Sequence, residues 1–178
     1  MTVIDLKRGV FCDEHASRSV KRICDLGGTF LDTAAWQAMD PETVVYTVEW
    51  EQKVEQGVEG GLFWGATIIQ PGKVGAEYFM TRGHFHVKRD RGEYYTTVQG
   101  SGVLVLMGED RVARTEDMSP GSLHYIPGYT AHRAVNTGDS PLTFWACWPS
   151  DAGHDYAAIE REAFSIRVLN RDSRPCVV

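Results

Sequence analysis

The stretch GHFHVKRDRGE, residues 83–93, decides how this sequence is interpreted. Side chains alternate between the two faces of an extended strand, so His84 and His86 are expected on the same face. Glu93 follows a turn signal and opens the next strand-like run, and His132 lies in a later run. If these runs are neighbours in one barrel, three imidazoles and one carboxylate converge in its interior.

This set of side chains has a definite chemistry. Three neutral imidazoles and one carboxylate suit Fe, Mn, Ni or Zn, whereas Ca2+ and Mg2+ prefer oxygen ligands. Such a set also leaves coordination positions open for a substrate. A His-x-His pair on its own is more often two surface or core histidines. The glycines around this pair favour the metal interpretation, because they stand at the expected turns.

Short strand-like runs separated by turns dominate the chain from residue 43 onward. Runs at a spacing of about 8–12 residues are typical of an antiparallel sandwich or barrel. The sequence therefore predicts an all-β fold. The predicted strands are 43–50, 62–69, 83–87, 93–99, 102–107, 112–116, 122–126, 131–136 and 142–148.

Helical signals are confined to the flanks. Asp32 can cap a short helix that ends at Ala38. Residues 13–24 and 157–164 are two further candidate helices, and residues 170–178 are expected to be loose. These patterns divide a single domain into an N-terminal extension (1–42), a barrel (43–150) and a C-terminal loop, helix and tail (151–178).

Composition limits the classes of function. The chain has 178 residues, which suits one domain, and its net charge of −6 argues against nucleic acid as the main partner. No apolar run approaches the ~20 residues that cross a bilayer, and residues 1–10 contain no apolar leader. We therefore expect a cytoplasmic protein with no membrane partner. The four cysteines show no metal-ligand spacing and are expected to be reduced.

The spacing of glycine, proline and histidine resembles the two motifs of the cupin family, at residues 83–100 and 121–136. A cupin is an antiparallel jelly-roll barrel, or double-stranded β-helix, with a metal site inside. Two features depart from the common pattern. The segment between His86 and Glu93 is longer than usual, and Tyr129 stands where glycine is common. Because many functions occur on this fold, the resemblance alone implies a fold and not an activity.

Longer strings narrow the resemblance. TRGHFH (81–86), EYY (93–95), YTAHR (129–133) and PSDAGHDY (149–156) are similar to the archaeal-type cupin glucose-6-phosphate isomerases. The resemblance extends over residues 14–166. It implies a metal-dependent homodimer that interconverts glucose 6-phosphate and fructose 6-phosphate in glycolysis and gluconeogenesis. It also implies a bound divalent transition metal, with Fe2+ first and Mn2+, Ni2+ or Zn2+ as alternatives.

The resemblance also implies roles for individual residues. The positions that match the family's metal ligands are His84, His86, Glu93 and His132. Those that match its phosphate and substrate contacts are Tyr46, Thr67, Thr81, Gly83 and Tyr95. His154 matches a histidine near the sugar and is, with Glu93, a candidate catalytic residue. Trp148 is a departure, because the family has a pocket-lining tyrosine there, and this puts the efficiency or sugar specificity of the chain in doubt.

The reaction moves a hydrogen between C1 and C2 of the sugar, and the residues allow two routes. Glu93 can act as the base that forms a cis-enediolate stabilised by the metal. A carboxylate held firmly as a ligand is a poor base, so Glu93 would have to loosen when sugar binds. A metal-assisted hydride shift needs no base. The sequence does not choose between these routes.

Phosphate recognition has candidates of its own. The hydroxyls of Thr67 and Thr81 and the amide of Gly83 can bind phosphate oxygens. The segment 82–91 carries Arg82, Lys88, Arg89 and Arg91 against Asp90, and such a basic stretch can attract an anionic substrate. The alternative is that these side chains belong to a solvated loop.

Two other classes of function remain open. An Fe(II)-dependent cupin dioxygenase would use the same ligands to activate oxygen, but it would need an apolar pocket for an apolar substrate. A non-catalytic sugar-phosphate binding protein would bind without turnover, and Trp148 in place of tyrosine favours that interpretation.

Overall fold

Strands form where the sequence alternates between apolar and polar side chains. The computed structural model describes residues 1–12 and 16–178. Strand accounts for 46% of residues and helix for 9%, which confirms the all-β prediction. The strands are β1 (Ile4–Asp5), β2 (Val10–Phe11), β3 (Ser17–Arg22), β4 (Val44–Glu51), β5 (Leu62–Ile69), β6 (Lys73–Val74), β7 (Glu77–Tyr78), β8 (Glu93–Gln99), β9 (Gly102–Gly108), β10 (Ala113–Met118), β11 (Leu123–Ile126), β12 (Thr130–Asn136), β13 (Leu142–Pro149), β14 (Val168–Arg171) and β15 (Arg174–Val177). The helices are a 3-10 turn (Ile23–Leu26), α1 (Thr33–Gln37) and α2 (Tyr156–Arg161).

Two antiparallel sheets form the cupin barrel. The larger has the order β11-β8-β13-β5-β4-β3, and the smaller has the order β10-β9-β12. Single bridges from Met80 to Val135 and from His84 to His132 attach the segment that precedes β8 to the smaller sheet. Glu93, at the start of β8, belongs to the larger sheet. The two sheets therefore each contribute predicted metal ligands to the space between them.

The alternation of side chains along β8 and β11 shows how the core is built. On β8, Glu93, Tyr95 and Thr97 are buried, whereas Tyr94 between them is exposed. On β11, His124 and Ile126 are buried, whereas Leu123 and Tyr125 are exposed. A one-residue shift in register would turn these buried side chains to solvent, so the pattern fixes the register.

The helix prediction at residues 13–24 was wrong over its described part. Residues 17–22 form β3, which pairs with β4 at the edge of the larger sheet, and a 3-10 turn follows. The stretch SRSVKR lacks an apolar stripe of helical period, so pairing with an open sheet edge decides its conformation. Residues 13–15 of that prediction lie outside the described residues.

Two further predictions of local structure were wrong. Residues 83–87 are not a continuous strand, because Gly83 has a φ of +76° and His84 and Phe85 make only isolated bridges. Residues 170–178 are not loose. They lie in the β14–β15 hairpin, whose turn at Asp172 and Ser173 has both residues at positive φ, the backbone of a tight hairpin turn.

Each flanking helix begins directly after an aspartate whose side chain caps it. Asp32 accepts a hydrogen bond from the Ala35 amide at 2.9 Å, as predicted, and α1 follows. Asp155 does the same for α2 through the Ala158 amide at 3.1 Å. Helix α2 ends at Arg161, earlier than the predicted 164.

The division into an extension, a barrel and a C-terminal part stays a prediction. Strand β3, from the predicted extension, is the edge strand of the larger sheet. No helix in the described ranges is long and apolar enough to cross a bilayer. The four cysteines are free thiols.

A buried ion pair joins Glu77 on β7 to Arg167 in the C-terminal part, and the same carboxylate binds the segment before α1. Glu77 accepts from Arg167 Nη1 at 2.5 Å and from the Leu31 amide at 2.5 Å. Both side chains are largely buried, at 4% and 17% exposure. Removing one partner of such a pair leaves a charge in a poorly solvated environment.

We therefore expect Glu77→Gln to lower the free energy of unfolding by roughly 3–5 kcal/mol, the cost of an unpaired buried charge. Urea unfolding of the metal-loaded protein measures it. Glu42→Gln is the control, because Glu42 pairs with Arg22 at 3.2 Å on the exposed surface and should contribute about 0–1 kcal/mol. Equal effects of the two substitutions would contradict a structural role for the buried pair.

Candidate metal centre and active site

The four predicted ligands meet inside the barrel. One ligand atom from each of His84, His86, Glu93 and His132 lies within 4.8 Å of the other three. The last three are buried, and His84 is partly buried. The bridge between His84 and His132 and the start of β8 bring the group together, so the ligands come from both sheets.

Hydrogen bonds on the far side of two imidazoles fix their tautomers. Nδ1 of His86 lies 2.8 Å from the carbonyl of Arg91, and Nδ1 of His132 lies 3.4 Å from that of Thr130. A ring nitrogen beside a carbonyl carries the proton, which leaves Nε2 with its lone pair toward the centre.

The atoms that face the centre have no hydrogen-bond partner. They are Nε2 of His84, His86 and His132 and Oε1 of Glu93, all of them buried. Oε1 of Glu93 lies 2.5 Å from Nε2 of His132 and 3.4 Å from Nε2 of His86. Buried polar atoms are rarely left unpaired, and three imidazole lone pairs around one carboxylate oxygen fit a divalent transition metal.

The electrostatics of the ligands agree with this geometry. Burial alone would raise the pKa of Glu93, but the charge and proximity of His132 and His86 outweigh it and lower the pKa to about 2. Burial and the neighbouring histidines hold the pKa of His84 well below its usual value. Glu93 is therefore anionic and His84 neutral at neutral pH, which is the protonation state that metal binding requires.

The long segment after His86 has a structural explanation. Asp151 accepts from Lys88 at 2.7 Å and from Arg91 at 2.8 Å, and these cations hold the pKa of its carboxyl well below the usual range. Arg89 donates to Asp155 at 2.5 Å. The same turn presents the Arg91 carbonyl to His86, so the extra residues hold a candidate metal ligand in place.

The predicted basic segment does not line the pocket. Each of its four cationic side chains pairs with a carboxylate. Arg82 pairs with Glu160 at 3.2 Å, and the pairs of Lys88, Arg89 and Arg91 are those described above. Their charge is neutralised locally, and none of the four lies among the residues around the pocket. These side chains therefore do not contact a ligand in this pocket, and the attraction of an anionic substrate by the stretch stays a prediction.

The ligands open into a pocket of about 340 Å³. Of the four ligands His84, Glu93 and His132 line it, and His86 lies behind them. Every predicted substrate-contact residue and His154 also line it. These residues are Tyr46, Thr67, Thr81, Gly83, Tyr95, Trp148 and His154.

Hydroxyl groups give the pocket hydrogen-bonding capacity. The Thr81 hydroxyl accepts from the Ala134 amide at 3.1 Å, which leaves its proton free to donate toward the pocket. Burial raises the pKa of Tyr46 to about 12. Burial and the Glu93 charge raise that of Tyr95 well above its usual value. Both phenols are therefore protonated hydrogen-bond donors at neutral pH.

His154 lies at the pocket mouth, above the metal ligands. Its ring centroid is 4.4 Å from that of His84 and 5.8 Å from that of Tyr156, which stacks on it and also lies 5.4 Å from His84. The ring is exposed on the surface side, and its partial burial lowers its pKa. His154 is therefore a neutral imidazole next to the substrate space.

Trp148 occupies the wall of the pocket. Its ring packs edge-to-face on Phe63, with centroids 5.8 Å apart. Gly65 makes room for it, because a Cβ at Gly65 would lie 3.1 Å from the indole. The indole fills this wall with apolar surface and provides no hydroxyl.

Among the lining residues that sequence reasoning missed, Lys21 and Tyr156 carry groups that can bind a polar ligand. Lys21 is the one Lys or Arg side chain among the described residues that line the pocket. Alternation along β3 puts Ser19 and Lys21 on the same face, a signal that the helix prediction concealed. Tyr156 was quoted within the string 149–156 but given no role.

Comparison with known proteins identifies close relatives. A family model described as glucose-6-phosphate isomerase matches residues 20–174. Glucose-6-phosphate isomerase of Thermococcus litoralis is 42% identical over 179 residues, covering 98% of this chain and 90% of the relative. The enzyme of the same name from Pyrococcus horikoshii is 43% identical over 180 residues, covering 98% and 92%. Putative glucose-6-phosphate isomerase 1 of Rhizobium meliloti is 38% identical over 161 residues, covering 89% and 74%.

Solved structures match over part of their length. Oxalate decarboxylase from Lactobacillus farciminis superposes with a TM-score of 0.48 and 22% identity, covering 62% of this chain and 30% of that chain. Oxalate decarboxylase from Bacillus subtilis at pH 4.6 gives 0.47 and 21%, covering 61% and 26%. The chain thus spans about a third or less of these decarboxylases.

The ligand geometry leads to a prediction about metal content. We expect His84→Ala to lose most of its metal after reconstitution with Fe2+ or Mn2+, as measured by elemental analysis. His124→Ala is the control, since His124 is buried against Glu116 and Ser122 away from the centre. Retention should also fall as the pH is lowered, because protonated imidazoles cannot bind metal, and burial delays this loss for His84 by lowering its pKa. Stoichiometric metal in His84→Ala would exclude this ligand set.

Proposed function

Because the chain belongs to the archaeal-type cupin family of glucose-6-phosphate isomerases, we propose that it is a metal-dependent isomerase interconverting glucose 6-phosphate and fructose 6-phosphate. The observation that carries this proposal is the four-ligand centre, whose unpaired atoms face a pocket of about 340 Å³. A pocket of this size suits a small ligand that is largely enclosed.

The lining supports a polar, anionic substrate. Thr67, Thr81 and Tyr46 bring hydroxyls to the pocket, and Lys21 brings its positive charge. A compact ammonium group binds phosphate as a point charge, and the hydroxyls add directional hydrogen bonds. Lys21 and the threonines therefore hold the phosphate, which orients the sugar carbons toward Glu93.

Glu93 and His154 are the groups that can move protons at the sugar. The Glu93 carboxylate is anionic and lies at the inner wall, where it can take the proton from C2 and return it to C1. The neutral imidazole of His154 can exchange a proton with a sugar hydroxyl oxygen at the pocket mouth. The alternative is a direct hydride shift between C2 and C1, in which Glu93 serves as a ligand alone.

His84, His86, Glu93 and His132 would hold a divalent transition metal. When bound, it supplies Lewis-acid polarisation of the sugar carbonyl. Fe2+ is the proposed metal, with Mn2+, Ni2+ and Zn2+ as alternatives, because a site of three imidazoles and one carboxylate accepts all four.

The proposed setting is a cytoplasmic homodimer acting in glycolysis and gluconeogenesis. Its partner is a small sugar phosphate rather than nucleic acid or a membrane. The acidic balance of −6 supports the absence of a nucleic-acid partner. Tyr94, Leu123 and Tyr125 are exposed on the edge strand β11 and its neighbour β8, which provides apolar surface for a second copy.

One alternative function is favoured by a specific observation. Trp148 stands where the family has a tyrosine, so the pocket wall lacks that phenol. This favours a sugar-phosphate binding protein that does not turn its ligand over. A dioxygenase is less well supported, because an apolar substrate would leave the charge of Lys21 and the hydroxyls of Thr67 and Thr81 without partners, although apolar side chains also line the pocket.

The activity is tested by conversion of fructose 6-phosphate to glucose 6-phosphate in a coupled dehydrogenase assay. We expect activity that EDTA abolishes and that one of Fe2+, Mn2+, Ni2+ or Zn2+ restores. Glu93→Gln should lower kcat by at least about 100-fold, since proton transfer by a positioned carboxylate contributes 10²–10⁴. Near-normal kcat in a metal-loaded Glu93→Gln protein would favour the hydride shift. Tight sugar-phosphate binding with no turnover under any metal would support the binding-protein alternative.

Lys21 gives a separate prediction. We expect Lys21→Gln to raise KM for fructose 6-phosphate roughly tenfold or more, because one charge-assisted contact to phosphate is lost. Its effect on kcat should be smaller, since the reacting carbons lie at the other end of the substrate. Lys73→Gln is the matched control, because Lys73 lies on β6 outside the pocket. An unchanged KM in Lys21→Gln would place the phosphate elsewhere.

A further inference from the structure

A second cavity lies apart from the pocket that holds the metal ligands. It has a volume of about 210 Å³. Its walls come from the turn after the 3-10 helix, from α2 and from two arginines, and they include Gly28, Thr29, Arg82, Arg133 and Glu160. None of these residues lines the first pocket. The two cavities are therefore separate sites.

Arg133 carries a buried charge that the protein does not neutralise by direct pairing. The residue is only 5% exposed. Its Nε and Nη2 donate to one acceptor, the Arg82 carbonyl, at 3.2 and 2.5 Å, and its guanidinium stacks over Phe164 at 4.6 Å. Among the described residues no carboxylate lies within 4.0 Å of it. A buried guanidinium with unused donors is costly unless an anion accompanies it.

The nearby carboxylates are already committed. Glu77, which faces the same region, pairs with Arg167. Glu160 pairs with Arg82 at 3.2 Å at the rim, where the glutamate side chain is 59% exposed. The cavity wall therefore holds two guanidinium groups against one solvated carboxylate, and its net charge is positive.

We propose that this cavity is a second anion-binding site that takes a phosphate group, either free phosphate or the phosphate of a small ester. Two guanidinium groups in one wall can donate to several oxygens of a tetrahedral anion. The buried Thr29 in the wall adds a hydroxyl group. The volume accommodates a small anion with its remaining water and is smaller than most pockets for larger ligands.

The site touches the same backbone segment as the first pocket. Arg82 lies between Thr81 and Gly83, both of which line that pocket, and its carbonyl holds Arg133. An anion bound to Arg82 and Arg133 would therefore contact the backbone segment that immediately precedes His84. The inference does not depend on the proposed isomerase activity.

The test is calorimetric titration of the metal-loaded protein with inorganic phosphate at constant ionic strength set with chloride. Arg82→Gln should weaken binding at this site roughly tenfold or more, since a charge-assisted contact is lost. Glu160→Gln should tighten it several-fold, because a competing carboxylate is removed from the rim. Glu160 is exposed, so that variant tests the proposal even if Arg82→Gln fails to fold.

Thr67→Val serves as the control for the first pocket. Phosphate bound there should respond to Thr67→Val and not to Glu160→Gln, and this separates the new site from the sugar-phosphate site even if no isomerase activity is found. Titration with glycerol phosphate in place of inorganic phosphate distinguishes an ester from the free anion as the ligand. Absence of any phosphate binding that responds to Arg82→Gln or Glu160→Gln would overturn the proposal.

Discussion

The barrel depends on bringing four polar atoms together at its centre without giving them hydrogen-bond partners. Nε2 of three histidines and Oε1 of Glu93 are buried and unpaired, a costly arrangement in an interior of low dielectric constant. The surrounding structure maintains it through β8 from one sheet, β12 from the other, and the bridge between His84 and His132. A bound cation would offset the cost, so the atoms that are costly to the fold are also the ones that form the candidate metal site.

The positively charged side chains near the site have two separate roles. The cations of the segment after His86 are neutralised by Asp151 and Asp155, and there they shape the backbone that positions a ligand. Lys21, on a strand distant in sequence, supplies positive charge to the pocket instead. A protein with an acidic balance can in this way accept an anionic substrate, because the local arrangement of charge and not the total decides the field in a cleft.

The sequence was sufficient to predict the residues of the candidate metal site. It was not sufficient to predict the strands at the edges of the sheets. The motif spacing singled out His84, His86, Glu93 and His132, and the four do come together, although the segment of the first two is not the regular strand that alternation predicted. The local pattern failed for β3 and the β14–β15 hairpin, where polar residues form strands only because a sheet edge is available. The pairing of Arg91 with Asp151 and the burial of Arg133 depend on contacts between segments far apart in the chain, which a local pattern does not contain.

The bridge between His84 and His132 joins two segments that lie far apart in the chain. Strands β8 to β11 separate these two residues in the chain, and β12, which carries His132, pairs with β9. Contacts of such long range form slowly, since the entropy of closing the intervening chain is lost before the contact is gained. The complete ligand set therefore exists only late in folding. A nascent chain on the ribosome would be unable to capture its metal until β12 had emerged, which makes metal uptake a step that follows synthesis of most of the barrel.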